Sequence, residues 1–230
     1  MPHPFRTIEE THNALKNRTL TVRALVDEYL AVIAEKNADI NAYLEVFTDI
    51  DMQVSRAQSM FDNGTATMLT GIPVAMKDNM LVKGHVASAS SKMLEQYVAS
   101  YDGTVARILK EHGAVLIGRT NMDEFAMGSS TQTSAYGITR NPLDREHPGE
   151  TLLHYGPLAR SVGDTALMQN VMSGPHPADL YSLRERVMLP AQFESVKGLR
   201  VALSFDLGYF RVAPVVRQNT QRMAELLREL

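Results

Sequence analysis

The chain has 230 residues, of which 44% are hydrophobic and 21% charged, and its formal net charge is -3. This composition is that of an ordinary globular protein, long enough for one large or two small domains with a real core. The absence of cysteine excludes disulfides, thiolate metal sites and cysteine nucleophiles. Because the chain has no run of like charges, no signal-peptide pattern and no long apolar stretch, we expect a cytoplasmic protein that binds neither membranes nor nucleic acid directly.

The first 66 residues are predicted to be helical. Thr7 and Glu10 have the spacing of a capping box, and Thr21 precedes a stretch in which apolar residues recur at helical intervals. A third helix is predicted to follow and to end at the turn-forming residues 62–64. This part of the chain is therefore expected to form a helical N-terminal region.

The pattern then changes to short apolar runs. Residues 72–76 and 114–118 are predicted to be buried strands. The helix between them is predicted to be capped by Asp102 and ended by Gly113. A strand, a helix and a strand in this order favour an α/β layer with parallel pairing.

The last third of the chain is more irregular. Residues 128–156 are rich in Gly, Ser, Thr, Asn and Pro and are predicted to be loop. Ser161 is expected to cap a helix that extends to about Met172, and residues 199–203 are a predicted strand. A final helix is predicted from about Pro214 to the end of the chain, where no C-cap is visible, which suggests that the natural protein continues.

Lys77 is the candidate that carries chemistry, because it lies at the end of a predicted buried strand. Burial lowers the pKa of a lysine, so a partly desolvated Lys77 could act as a base. Two alternatives stay open: Asp78 could hold the ammonium charged, or the side chain could simply reach solvent. No phosphate-binding loop, nucleophile elbow or zinc motif occurs, and the seven histidines lack ligand spacing. We therefore expect no metal and no cofactor.

Residues 71–79 resemble the lysine motif of the amidase-signature family. The block at 118–131 and the segment at 136–142 are similar to the A subunits of tRNA-dependent amidotransferases within that family. The resemblance covers roughly residues 7–149. It implies an α/β fold in which a helical N-terminal region is followed by a partial amidase-signature mixed sheet flanked by helices.

The resemblance also implies how the chain is divided. Residues 1–66 would form the helical N-terminal region, and residues 67–149 the α/β part that carries the lysine motif. Residues 150–230 would be a post-signature segment, which looks more like general amidases than like A subunits up to about residue 190. The chain thus has the pattern of two amidase pieces joined across a missing centre.

The family resemblance implies a triad in which one serine is the nucleophile, a second serine relays its proton and Lys77 is the ultimate base. It implies that the loop of Met127, Gly128, Ser129 and Ser130 lies near the substrate, with Lys77 buried beside it. Loop serines that only bond local backbone are the plain alternative. The implied reaction releases ammonia from glutamine or another amide. Partner subunits would use that ammonia, so tRNA would be met only through the complex.

The two serines of that triad have no counterpart here. In the family, a Pro-Gly pair opens a Gly/Ser-rich run, and a later Gly-Gly-Ser turn supplies the nucleophile and the oxyanion hole. In this chain Pro148-Gly149 is followed at once by Glu-Thr-Leu-Leu, and no Gly-Gly-Ser occurs. Ser88, Ser90 and Ser91 are expected to be loop or helix-cap residues.

We therefore expect an amidase-family protein, similar to the amidotransferase A subunits, that is inactive as this chain. The alternatives are a non-catalytic binding or assembly module, a fragment of a general amidase, and an active hydrolase that uses unrecognised residues. Because loss of central strands exposes strand edges and apolar surface, we also expect marginal stability or self-association.

Overall fold

Three helices open the chain: α1 (Ile8–Lys16), α2 (Val22–Ile40) and α3 (Ile50–Asp62). The structure is a computed structural model that describes residues 6–142, 144–148, 156–179 and 184–229. The predicted capping box at the start of α1 is present, with both of its hydrogen bonds. Thr21 accepts a hydrogen bond from the Ala24 N–H at the start of α2, as the sequence predicts. The junction at 149–153 lies outside the described residues.

The prediction of helix throughout the first 66 residues is wrong at one place, where a strand β1 (Tyr43–Val46) separates α2 from α3. Asn41 ends α2 in the left-handed conformation, and the Asn37 side chain bonds both the N–H and the carbonyl of Tyr43. The strand pairs with residues 118–120, which lie far along the chain. Local periodicity carries no signal for such a distant partner, which is why the strand was missed.

The central sheet has the strand order β1-β3-β2, in which β2 is Pro73–Lys77 and β3 is Val115–Thr120. β2 and β3 are parallel, as predicted, whereas β1 and β3 are antiparallel. Helix α4 (Thr104–Glu111) lies between β2 and β3 in the chain. A Cβ on Gly118 would lie 2.3 Å from the carbonyl oxygen of Glu45, so only glycine allows β1 to approach β3 here. The mixed α/β fold class predicted from the sequence is confirmed.

The core lies between this sheet and the helices. Large apolar side chains that are almost fully buried come from α2, α4, both parallel strands and the segment before β2: Val22, Val26, Leu69, Met76, Leu109, Val115, Leu116 and Ile117. β3 is buried over its first four residues, as the continuous apolar run in the sequence predicts. The carboxyl ends of the parallel strands β2 and β3 therefore lie at the same edge of the sheet, and Lys77 is at the end of β2.

Asp102 does not cap α4, because Gly103 occupies the N-cap position. The Asp102 carboxylate instead accepts a hydrogen bond from the Lys83 N–H at 2.8 Å and pairs with Lys110 at 2.7 Å. Burial raises the pKa of Asp102, but these contacts outweigh burial and lower it overall. Asp102 thus binds Lys83 and Lys110 and not the N–H groups at the start of α4, so the predicted cap was wrong.

Further along the chain, the predicted loop contains a short antiparallel hairpin of β4 (Arg140–Asn141) and β5 (Asp144–Pro148). The loop prediction was wrong for these residues, because their pairing depends on a neighbour and not on composition. Helix α5 (Val162–Met172) follows, and Ser161 caps it as predicted by accepting a hydrogen bond from the Asp164 N–H.

Helix α5 completes the core of the segment that precedes the junction. Met168 belongs to the buried apolar cluster, and Leu167 and Val171 pack against it. The buried Asp164 carboxylate accepts a hydrogen bond from the Ile8 N–H at 2.9 Å. A carboxylate at a helix N-terminus satisfies an otherwise unpaired donor and is favoured by the helix dipole. One contact thus ties the first helix of the chain to a helix beyond the junction.

The chain divides into two units, residues 1–189 and residues 190–230. In the second unit, α6 (Pro214–Glu229) forms as predicted. Residues 199–203 do not form the predicted strand; Leu199, Val201 and Leu203 are exposed. A strand needs a hydrogen-bonded neighbour, and no described residue supplies one. Among the described helices, none combines the length and apolar character needed to cross a membrane.

Replacing Asp164 tests whether the segment beyond the junction stabilises the helix at the start of the chain. Asp164→Ala leaves the Ile8 N–H without its acceptor, so we expect the free energy of unfolding to fall by about 1–3 kcal/mol. Urea unfolding monitored by circular dichroism measures this change. Asp51→Ala, which breaks an exposed ion pair with Arg23, should cost less than about 1 kcal/mol. Equal effects of the two variants would contradict the role of Asp164.

Candidate functional site

Lys77 lies at the end of β2 and is half-buried. It is paired in register with Thr120 of β3, and the next N–H, that of Asp78, donates to the Thr120 carbonyl at 3.1 Å. The side chain is not free, because Lys77 has an interaction partner in the structure. The parallel strand pair thus fixes the backbone from which Lys77 projects.

Asp78 is the best-satisfied charged group near Lys77, and it is 1% exposed. Its carboxylate accepts hydrogen bonds from the N–H and the hydroxyl of Ser88 and from the N–H of Ser90. It also pairs with the Arg119 guanidinium at 2.6 Å, and Arg119 reaches Glu45 on β1 at 2.7 Å. Burial lowers the pKa of Arg119, but the two carboxylates outweigh it and raise the pKa overall, so the guanidinium stays charged.

Sequence reasoning considered Asp78 only as a partner for Lys77 and missed Arg119. A signal was present, because Arg119 stands in the same family-like block as the candidate loop and is a charged residue directly after an apolar run. A charge in that position needs a buried partner. Only the register of β2 against β3 shows that the partner is Asp78.

The serine turn, residues 88–91, packs on Asp78. Ala89 and Ser90 both adopt left-handed backbone conformations, with φ of 49° and 50°, which cost non-glycine residues energy and are found where surrounding contacts hold them. The Ser90 hydroxyl bonds Asn121, and the Ser91 hydroxyl caps a short 3₁₀ turn and donates to Glu124 at 2.6 Å. The expectation that these serines are loop and cap residues agrees with these contacts.

A second buried carboxylate, Asp123, organises the candidate loop. It accepts hydrogen bonds from the N–H groups of Ser130, Thr131 and Thr133 and from the Thr133 hydroxyl. Burial raises the pKa of Asp123, but these four hydrogen bonds outweigh burial and lower it overall. A Cβ on Gly128 would lie 2.5 Å from the Asp123 carboxyl carbon. The loop can therefore wrap around the carboxylate only because residue 128 is glycine.

The loop and the serine turn are joined directly. The Phe125 N–H donates to the Ala89 carbonyl at 3.0 Å, and the Ala135 N–H donates to the Ser90 carbonyl at 2.9 Å. Phe125 is itself in a left-handed conformation. A continuous path of hydrogen bonds thus leads from the strand end at Asp78, through the serine turn, to the loop.

The predicted site residues occupy the two ends of this path. Lys77 stands beside Asp78, and Met127, Gly128, Ser129 and Ser130 form the loop around Asp123. Met127 is 80% exposed, and Ser129 is exposed as well. The arrangement offers a half-buried amine and an exposed loop with apolar and hydroxyl side chains. The described residues include no group of three or more His, Asp or Glu side chains that could hold a metal ion.

Comparison with protein families gives a match over almost the whole chain. The amidase family model matches residues 24–149 and 148–230. The match is thus split at the point where the sequence predicts a missing segment.

Curated relatives show the same division. The A subunit of glutamyl-tRNA(Gln) amidotransferase from Brachyspira hyodysenteriae is 47% identical over 148 residues, which is 62% of this chain and 31% of the relative. The corresponding A subunit from Synechococcus sp. strain CC9605 is 32% identical over 290 aligned positions, which cover 97% of this chain and 58% of the relative. Since 290 exceeds the 230 residues of the chain, the relative contains residues in the matched region that this chain lacks. The chain spans less than two thirds of the length of either relative.

Solved structures support the fold. The native peptide amidase from Stenotrophomonas maltophilia has a TM-score of 0.69 and 22% identity, over 77% of this chain and 50% of that one. At this identity the likeness concerns the fold alone.

Replacing Asp123 tests whether its charge holds the loop. Asp123→Asn removes an anion that accepts four hydrogen bonds and places an amide N–H₂ against N–H donors, so the free energy of unfolding at pH 7 should fall by about 1–3 kcal/mol. Because the pKa of Asp123 is lower in the folded state than its ordinary value of 3.8, its stabilisation is present above that value and is lost as the pH falls through the folded pKa.

The wild type should therefore lose its advantage over Asp123→Asn as the pH is lowered from about 5 through the acid range. Urea unfolding at a series of pH values measures this difference. Asp27→Asn, which alters an exposed ion pair on α2, is the matched control and should change stability by less than about 1 kcal/mol. A gap between wild type and Asp123→Asn that does not depend on pH would show that the charge is not what holds the loop.

Proposed function

The chain belongs to the amidase family, and from this membership we propose that it retains the lysine-bearing part of an amidase site without a nucleophile of its own. Lys77 and the 127–130 loop are the retained part. The observation that carries the proposal is that β2 pairs with β3 at Lys77 and Asp123 holds the loop, in a chain whose sequence contains no Gly-Gly-Ser turn. The chain is thus similar to amidotransferase A subunits but does not hydrolyse amides alone.

The chemistry of the family supports this proposal. A lysine base accelerates amide cleavage only when it can take a proton from a nucleophile that attacks the carbonyl carbon. In a hydrolase of related logic, loss of the nucleophile costs on the order of 10⁶ in kcat. The exposed Ser129 lies in a loop whose backbone is fixed by Asp123 and is not held against a base by any described hydrogen bond. It therefore does not replace the missing serine.

Our proposal for binding partners rests on the names of the two A-subunit relatives. Both are named as A subunits of glutamyl-tRNA(Gln) amidotransferase, an assembly that contains further subunits. We propose that this chain, in the cytoplasm, binds such partner subunits and meets tRNA only through them. The division into a helical region at residues 1–66, an α/β part at 67–149 and a post-signature segment at 150–230 remains a prediction.

A non-catalytic binding or assembly module is the second candidate. The rigid loop favours it, because Asp123 and the serine turn order the loop without any residue of the absent segment. A fragment of a general amidase is the third, since it would keep the same fold with a different amide ligand. A preference for an amide other than glutamine separates the general-amidase candidate from an A-subunit role.

Incubation with glutamine, asparagine and benzamide tests the absence of hydrolysis. We expect no ammonia release above the buffer rate, because the base has no nucleophile to activate. A coupled glutamate dehydrogenase assay measures ammonia, and Lys77→Ala is the matched variant. Release of ammonia that Lys77→Ala abolishes would overturn the proposal, whereas release that survives in Lys77→Ala would indicate a contaminating enzyme.

Self-association is a separate expectation. The second unit exposes a run of apolar side chains that includes Leu199, Val201 and Leu203, and exposed apolar surface of this kind favours association. We expect the weight-average mass in sedimentation equilibrium to rise above 25.5 kDa with concentration. Val201→Ser should shift the association to higher concentration, and Met52→Ser on α3 should not. A single species of monomer mass at all concentrations would contradict this expectation.

A further inference from the structure

Asn63 is the one asparagine of the chain that is followed by glycine. This order matters because the backbone nitrogen after an asparagine can attack the side-chain amide carbon, and glycine has no Cβ to obstruct the approach. The attack forms a new C–N bond in a five-membered succinimide ring, and the amide C–N bond breaks as ammonia leaves with the backbone proton. Water then adds to either carbonyl of the ring, which yields aspartate or isoaspartate.

The turn that contains this pair is open to solvent. Asn63 is the C-cap of α3, and both Asn63 and Gly64 are exposed. A Cβ built on Gly64, whose φ is 71°, would meet no atom within 4 Å. Among the described residues, none forms a hydrogen bond with the Asn63 side-chain amide. The amide can therefore rotate toward the Gly64 nitrogen, and water can reach the ring that forms.

Backbone hydrogen bonds close the end of α3 at this turn. The Thr65 N–H donates to the Met60 carbonyl at 2.9 Å, whereas the Gly64 N–H donates to the Phe61 carbonyl at 3.2 Å. The Gly64 nitrogen must leave its acceptor before it can attack. Its bond is the longer of the two and lies in the exposed last turn of a helix, where local opening costs little free energy. The attacking nitrogen is thus released without unfolding of the core.

The Asp102-Gly103 pair shows how the fold protects a similar sequence. An aspartate before glycine can form the same succinimide with loss of water. Here the Asp102 carboxylate is held by the Lys83 N–H at 2.8 Å and by Lys110 at 2.7 Å. The Gly103 N–H donates to the Leu81 carbonyl at 2.9 Å. Both the attacked group and the attacking nitrogen are therefore fixed, which they are not at the end of α3.

We propose that Asn63 is a modification site, at which the folded chain deamidates spontaneously and forms isoaspartate with water as the co-reactant. This inference does not depend on the proposed function. The product makes the formal net charge of -3 more negative by one. The new carboxylate stands beside Asp62 at the C-terminal end of α3, where the helix dipole disfavours an anion. Isoaspartate also adds a carbon to the backbone of the turn and so weakens the closure of the helix.

Incubation of the folded chain at mildly alkaline pH, followed by peptide mapping with tandem mass spectrometry, measures the reaction at each residue. We expect Asn63 to deamidate at least about tenfold faster than Asn17. Asn17 is the matched residue because it is also an exposed helix C-cap, but Arg18 follows it and not glycine. A protein isoaspartate methyltransferase should label the peptide that contains residue 63. Deamidation of Asn63 no faster than that of Asn17 would overturn the inference.

Two further comparisons separate the effect of the fold from that of the sequence. Asn63→Gln, whose longer side chain would have to close a larger and less favoured ring, should remove the acidic species from ion-exchange chromatograms. Unfolding in urea should raise the isoaspartate yield at Asp102 at least about tenfold, because it releases the held carboxylate, and should change the yield at Asn63 far less. The inference fails if the acidic species persists in Asn63→Gln, or if urea raises both yields by the same factor.

Discussion

The contact between Asp78 and Arg119 is the interaction on which the site depends. Removing two charges from water is costly, and the cost is offset only when the remaining hydrogen-bonding capacity of both groups is used. Here three further hydrogen bonds satisfy Asp78, and Glu45 satisfies Arg119. The pair therefore connects all three strands of the sheet, since Glu45 lies on β1, Arg119 on β3 and Asp78 directly after β2.

Buried carboxylates hold two irregular segments of this protein in place, whereas buried apolar side chains hold its helices and strands together. Asp78 draws in the serine turn and Asp123 draws in the candidate loop, each by accepting several hydrogen bonds. Hydrogen bonds to a charged group are stronger than neutral ones. They offset the cost of left-handed residues such as Ala89 and Phe125. The candidate site therefore combines strained backbone conformations with hydrogen bonds that hold them.

The first piece of the amidase pattern and the second piece up to Leu189 belong to one structural unit. Helix α5, from the second piece, supplies Met168 to the core and Asp164 to the first helix. The residues that the relatives contain and this chain lacks are therefore not needed to dock α5 on the first piece. The family resemblance implies that the nucleophile and the oxyanion hole belong to those absent residues.

The sequence by itself determined the helices, the parallel strand pair and the family, because each has a local signature, whereas the role of Lys77 as a base remains a prediction. Capping residues at Thr7, Thr21 and Ser161 and the apolar runs before Lys77 and Arg119 act over a few residues and need no distant partner. Only the tertiary structure decided where β1 lies, which group pairs with Asp78 and what Asp123 holds. Those outcomes depend on contacts between residues far apart in the chain, and such contacts are selected by packing and charge burial in three dimensions and leave no periodic trace in the sequence.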